Sequence, residues 1–429
     1  MKKVLLIGYY FQQTVSIGSV RVRGIAKYLR DFGWESTVLS GTSGSDEGFD
    51  VEEVIVDDVV TKWSKILKLG QGILPNVQMG APVHRNKKSF YGNLISLGGE
   101  LFAYPDVNRT WIKPAIARGR EMLRKGEYDV IISSSGPFSA HIIAGSLASE
   151  FNLPWLADLR DLWTQNHNYS YSGIRKFFER RLECRTLSRA DILTTVSVPL
   201  AESLGDLHRH KTVIAIPNGF DPDLVNPGIP LDDTFSIVYT GNIYRGKQDP
   251  AFLFRVLRIL MDEKMVDPDR MEVCFFGLDK DWLMEDAKKH RLEDVVQIHG
   301  LVPRRIAIAE QQKAQILLLF VWNDPRERGI YFGKLFDYLA ARRPILSIGS
   351  TDGGVVKELL DQTRAGVHCS NETDLREYLL RVYRQYQEGG SVQYHGIETE
   401  VMKYSHREMA RKFADVLEGM LKEKRQENP

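Results

Sequence analysis

Strand-length apolar runs alternate with helix-length amphipathic stretches along nearly the whole of this chain, and that alternation constrains its fold more than any other feature. The first residues read strand, loop, helix, strand in "KVLLIG", "YYFQQTVSIGSVR", "VRGIAKYLRDFGW" and "ESTVLSG", with Gly33 placed to stop the helix. Strands separated by single helices form parallel β-α-β units. "YDVIISSSGPFSAHIIAGSLASEF", "LPWLADLRDLW" and "ADILTTVS" continue the pattern towards residue 200. The stretch "TVIAIPNGFDPDLVNPGIPLDD", broken by Pro, Asn-Gly and Asp-Pro, reads as a linker with turns. A second series follows it: "FSIVYTGN", "MEVCFFGL", "VVQIHGLV", "ILLLF" and "AGVHCS" as strands, with "DPAFLFRVLRILMDE", "DWLMEDAKKH" and "RRIAIAEQQKAQ" as helices. The expected architecture is α/β, with two Rossmann-like doubly wound domains, 1–200 and 201–400, facing across a cleft. Residues 401–429 are expected to form a C-terminal helix packing back on the first domain.

A length of 429 residues is enough for two domains with full cores, since single domains hold about 100 to 200 residues. A formal net charge of +1 excludes the strongly basic balance of a general nucleic-acid binder. Cys184, Cys274 and Cys369 are scattered, in contexts that read as helix, strand and strand, which favours a reducing compartment over a disulfide or zinc framework. The apolar run after "MKK" is too short for a signal peptide, and no stretch approaches the roughly 18 apolar residues of a membrane span. The expected location is cytoplasmic.

Open α/β sheets bind ligands beyond the carboxyl ends of their strands, so the loops after strands are where chemistry is sought. No GxGxxG follows the first strand, and neither GxxxxGK[ST] nor GxSxG occurs, which disfavours a dehydrogenase, a P-loop enzyme and an α/β serine hydrolase. "GKLFDYLAARRPILSIG" starts a helix behind a Gly-rich loop, with Lys334 and Asp337 about one turn apart on one face. The free amides and partial positive charge of a helix start attract phosphate, Lys334 adds a full charge, and Asp337 can accept from sugar hydroxyls. A plain surface Lys-Asp ion pair is the alternative reading. "YTGNIYRGKQDP" places Gly241, Asn242, Arg245 and Lys247 after a strand, two cations suited to a diphosphate, against the alternative of a solvated basic loop. Gly18 and Ser19 end a long first loop where backbone can approach a ligand. "SSSGPFSAH" offers the hydroxyls of Ser134, Ser135 and Ser139, the last also readable as a helix cap. "ADLRDLW" gathers Asp158, Arg160, Asp161 and Trp163 at one strand end, as a functional cluster or as an Asp-Arg pair that ties the loop down. Asp221 with Asp223, and Asp267 with Asp269, flank prolines and read as turns.

Taken in order, "GSVRVRGIAKYLRDFGWESTVLSG", "PWLADLRDLW", "ADILTTVS", "IPNGFDPD", "VYTGNIYRGK", "IHGLVP" and "GKLFDYLAARRPIL" resemble the retaining glycosyltransferases of family 4, whose fold is called GT-B. The resemblance covers nearly the whole chain. It implies transfer of a sugar from a nucleoside diphosphate donor to an acceptor without an essential metal or other cofactor, with the donor held mainly by the second domain. The family's basic pair matches Asn242 and Lys247, with Arg245 as the substitute for the first member. Of the family's two spaced glutamates the first matches Gly329 and is lost, and the second matches Asp337, implied to hold ribose hydroxyls. Lys334 and the amides of Phe332 and Gly333 are implied to take the diphosphate, and Leu301 and Val302 to pack the base. The places where many members carry a histidine read here as Ser134 and Asp161, with His141 nearby as a helical histidine more often structural than catalytic. On this reading Arg245 and Lys247 stabilise the leaving group, Arg160 and Asp161 orient acceptor or donor sugar from the first domain, and Ser134, Ser135 and Asp158 contact the acceptor.

Residues 59–99 contain no acidic residue and mix Lys62, Lys65, Lys68, Arg85, Lys87 and Lys88 with aromatic and aliphatic side chains. That composition suits an anionic membrane surface, and so a lipid-linked acceptor, against the alternative of a solvated insertion packed on its own domain. Two rival functions share the fold: a nucleotide-sugar epimerase or phosphorylase, and a non-catalytic sugar-nucleotide binding subunit.

Overall fold

The computed structural model describes residues 1–11, 17–43, 48–59, 61, 104–166, 168, 171–224, 228–277 and 281–427. The chain divides into two units, Met1–Pro217 with Met409–Pro429, and Asn218–Glu408. Nearly all of the basic segment 59–99 lies outside the described residues.

In the first unit the elements run β1 (Lys2–Ile7), α1 (Ile17–Tyr28), β2 (Trp34–Ser40), β3 (Asp50–Glu53), α2 (Ile112–Lys125), β4 (Val130–Ser134), α3 (Ser139–Phe151), β5 (Trp155–Leu159), α4 (Gly173–Leu187), β6 (Ile192–Thr195), α5 (Val198–Leu207) and β7 (Thr212–Ala215). All strands pair in parallel, in the order β3-β2-β1-β4-β5-β6-β7. The central strands β4 and β5 are buried at every position, as expected of parallel strands covered on both faces. Gly33 ends the first helical stretch at φ 83°, a conformation open to glycine at no steric cost.

The supposed linker begins with a strand: Thr212–Ala215 is β7, the edge of the first sheet. Its burial pattern, one exposed residue followed by three half-buried ones, lacks the continuous apolar signal of a central strand.

In the second unit the elements are β8 (Phe235–Thr240), α6 (Ala251–Asp262), β9 (Met271–Phe276), α7 (Asp281–Lys289), β10 (Val296–Gly300), α8 (Arg304–Lys313), β11 (Ile316–Phe320), α9 (Gly333–Ala341), β12 (Ile345–Ile348), α10 (Gly354–Thr363), β13 (Gly366–Cys369), α11 (Glu372–Gly389) and α12 (Glu398–Met402). The sheet order is β10-β9-β8-β11-β12-β13, again all parallel. The final helix, α13 (His406–Glu427), supplies Met409, Phe413, Leu417 and Met420 to the core beneath β1 and β4 in the first unit. In each sheet the winding reverses once, between β1 and β4 and between β8 and β11. Such reversals open a crevice at the carboxyl ends of the two strands.

The first unit is pinned by a buried ion pair. Asp158, fully buried at the end of β5, accepts hydrogen bonds from Arg21 Nε at 2.9 Å and Nη2 at 2.8 Å, from Ser134 Oγ at 2.8 Å and from Thr194 Oγ1 at 2.9 Å. Burial alone would raise its pKa; Arg21 and the two hydroxyls outweigh that and hold it below the usual carboxylate range. Arg21 also donates to the Pro217 carbonyl at 3.1 Å and lies 5.2 Å from the Phe413 ring centroid, so one side chain joins α1, the strand ends and α13. Removing one member of such a pair strands a buried charge. Asp158→Asn is therefore expected to lower unfolding stability by ~3–5 kcal/mol in urea titrations. The exposed neighbour variant Asp161→Asn should stay within ~0.5 kcal/mol of wild type.

Candidate functional site

The strongest convergence of sequence-predicted residues is in the second unit, around the winding reversal. Three adjacent strand ends lock there through glycines. Gly241 donates its amide to the Phe276 carbonyl at 2.6 Å, and Gly277 donates to the Gly300 carbonyl at 2.8 Å. Gly241 has φ +100°, and a Cβ on Gly277 would lie 2.2 Å from the Gly241 carbonyl oxygen, so neither position accepts a side chain without movement.

Lys334 reaches over this floor. A Cβ on Gly241 would lie 3.1 Å from Lys334 Nζ. The ammonium donates to the Tyr239 hydroxyl and sits 3.7 Å from the centroid of that ring, while Tyr239 donates to the Asn242 carbonyl at 2.6 Å. No carboxylate pairs with Lys334 among the described residues. Burial lowers its pKa to about 7, against the attraction of the ring face for the cation. Phe332 precedes the first turn of α9 without a side-chain cap, and the amides of Gly333 and Lys334 meet no acceptor among the described residues. An ammonium, two amides without an acceptor among the described residues and the positive end of a helix dipole thus belong to one helix start.

The plain ion pair between Lys334 and Asp337 is not formed. Asp337 instead accepts from Arg304 Nη2 at 2.8 Å through Oδ1, and Oδ2 meets no donor among the described residues. Burial raises the Asp337 pKa, with Arg304 opposing. The loops after β8 and β11 are zipped together: the Gln248 amide donates to the Phe320 carbonyl at 2.7 Å, and Asn323 N to the Lys247 carbonyl at 2.9 Å. Lys247 Nζ lies 4.1 Å from the centre of the Trp322 ring, which contacts Phe332 edge-on. Arg245 is exposed and leans towards Trp282 on α7, 5.7 Å from its centroid, whereas Lys247 lies against Trp322. Val302 is half-buried against the core, whereas Leu301 is 73% exposed.

The structure thus gathers Gly241, Asn242, Lys247, Phe332, Gly333 and Lys334 beyond the carboxyl ends of β8 and β11, with Asp337 one turn into α9. Sequence reasoning missed Tyr239, Arg304, Gln248 and Trp322, which position them. Of these only Tyr239 carried a local signal, as the residue two before the Gly241 turn.

The first unit's candidates fare differently. Ser134 and Ser135 are each 2% exposed and Asp158 is fully buried in the Arg21 network, so the acceptor-binding expectation is not carried forward for them. Ser139 does not cap α3; its amide and hydroxyl both donate, at 2.8 Å, to the Asp106 carboxylate. Ser19 is fully buried, and Gly18 accepts from Arg160 Nη1 at 2.8 Å. Arg160 also donates to the Ser135 carbonyl at 2.7 Å and is held by backbone, with burial lowering its pKa. Asp161 is exposed. The Asp221 and Asp267 carboxylates accept from Asp223 N and Asp269 N, as turn chemistry requires.

The described sheets and helices match known proteins. Residues 18–219 match the family described as glycosyl transferase 4-like domain. Over that stretch, just under half of its length, the chain is similar to that family, and its two parallel sheets have the GT-B fold. Its fold is that of Anabaena Alr3699/HepE in complex with UDP and glucose, with TM-score 0.60 and 14% identity over 98% of this chain and 100% of that one. It is also similar to sucrose-phosphate synthase from Thermosynechococcus elongatus, with TM-score 0.54 and 12% identity over 99% and 98% of the two chains. The apo form of the lipopolysaccharide outer core galactosyltransferase WaaB gives TM-score 0.56 and 11% identity over 98% and 99%. No protein of curated function matches the sequence.

His141, the nearest histidine to "SSSG", is fully buried, with Nδ1 2.8 Å from Ser133 Oγ. Burial pushes its pKa down to about 4. A folded value below the free value means that its stabilising contribution is complete above about pH 6.5 and is lost as pH falls towards 4. Wild type should lose ~2 kcal/mol through this group between pH 7.5 and pH 5, a loss that His141→Gln removes from the pH profile of unfolding.

Proposed function

We propose that this chain is a retaining glycosyltransferase that moves a hexose from a nucleoside diphosphate sugar to an acceptor, with no metal required. The observation that carries the reading is the Lys334 ammonium over the Gly241 turn at the uncapped start of α9, lacking a carboxylate partner among the described residues. That arrangement suits the diphosphate of a donor. HepE, which shares the fold, has been crystallised with UDP and with UDP-glucose, and this supports a nucleotide-sugar donor here.

In the proposed reaction the anomeric C–O bond breaks and its electron pair passes to the diphosphate. Lys334, Lys247 and the α9 dipole stabilise that charge, the role a divalent cation plays elsewhere. Arg245 joins them by leaving Trp282. The acceptor hydroxyl attacks from the face the diphosphate leaves, which retains configuration, and a phosphate oxygen takes its proton. Asp337 holds ribose hydroxyls through Oδ2 while Arg304 keeps Oδ1, and Val302 and Leu301 border the base. In the first unit Asp161 is assigned to the acceptor and Arg160 to shaping the loop around Gly18. The acceptor is a saccharide or lipid-linked saccharide of a surface polysaccharide or glycolipid, and the setting is the cytoplasmic face of a membrane. No helix among the described residues is long and apolar enough to cross one.

Thermal shift with UDP-, GDP-, dTDP- and ADP-sugars tests the donor. One class should stabilise the chain, by ~2.7 kcal/mol at about one hundred times its Kd. Slow donor hydrolysis should accompany it. Lys334→Ala should weaken that donor by ~10- to 100-fold, the value of a charge-assisted hydrogen bond. Silence of all four classes would remove the proposal.

A further inference from the structure

Helix α4 turns its acids inward and its aromatics outward. Arg175 and Glu179 form an ion pair with side chains 2% and 0% exposed, and Glu183, the helix's other acid, is fully buried. On the opposite side Ile174, Phe177 and Phe178 are 67%, 55% and 54% exposed. Their i, i+3, i+4 spacing puts them on one face, and Arg181 and Arg185 continue the same stripe one and two turns on, both exposed. The Arg181 guanidinium lies 4.8 Å from the centre of the Phe177 ring, and Arg180 flanks the stripe. Single exposed apolar side chains are ordinary, whereas three adjacent ones with an arginine border and no acid mark a contact surface.

We propose that this face of α4 docks on an anionic lipid bilayer. Ile174, Phe177 and Phe178, at the amino end, enter the boundary between headgroups and acyl chains, and Arg180, Arg181 and Arg185 lie over the lipid phosphates. The chemistry commits to this partner. Aromatic and aliphatic side chains gain from shallow burial, and long guanidinium stems reach the headgroup plane from beside them. The cations, with no acid on the face, gain most where lipid charge is negative. The proposal is argued from α4 alone and does not rest on the sugar-transfer reading.

Co-sedimentation of the full chain with vesicles tests it. Vesicles of phosphatidylcholine with phosphatidylglycerol should bind the chain, vesicles of phosphatidylcholine alone should bind it far less, and added salt should weaken binding. Phe177→Ser with Phe178→Ser, and Arg181→Glu with Arg185→Glu, should each reduce partitioning by roughly tenfold or more, with melting temperature unchanged because these side chains are exposed. Binding that is absent, indifferent to lipid charge, or retained by either double variant overturns the proposal. So does a wild-type dimer that the Phe177/Phe178 variant makes monomeric without any vesicle binding, since the face would then belong to a second copy.

Discussion

An ammonium held against the face and hydroxyl of one tyrosine, with no carboxylate beside it among the described residues, is the arrangement on which the functional account depends. Taking a charge out of water is unfavourable unless something returns the lost solvation. Tyr239 returns part of it to Lys334, and burial still draws the ammonium's pKa down to about 7. What is left over is attraction for an anion. Because Gly241 has no side chain, a ligand can come against the backbone directly under that charge.

Both units wind their sheets in the same sense, reversing once, and both bring a cation to strand ends near the reversal. They use it in opposite ways. In the first unit Arg21 is matched by Asp158, closed off from solvent, and anchors α1, β5 and α13. In the second, Lys334 is left half-buried with only a neutral partner among the described residues. The first arrangement serves stability and the second leaves the strand ends ready for a charged ligand. The difference lies in one residue type, carboxylate or phenol, opposite the cation.

The central strands were legible because parallel strands covered on both faces read as unbroken apolar runs, as Ile316–Phe320 does. Edge strands β3 and β7 were not, since half-exposed residues carry no such signal. At the site, Gly241 and Lys334 could be found from their place after a strand and at a helix start. Of the two readings of the Asp158 cluster an Asp-Arg pair is formed, but with Arg21, 137 positions away, and sequence shows a charged residue without showing what neutralises it. Nor does sequence show that Ser139 donates to Asp106, 33 positions away. Arg304 and Asp337 likewise meet only through the packing of α8 on α9.

The most direct measurement is the titration of the Lys334 ammonium, followed by side-chain NMR with and without UDP. The account predicts a midpoint near 7 in the free protein that moves upward when UDP binds, as a diphosphate supplies the missing partner. UDP that binds while the Lys334 titration stays where it was would contradict it.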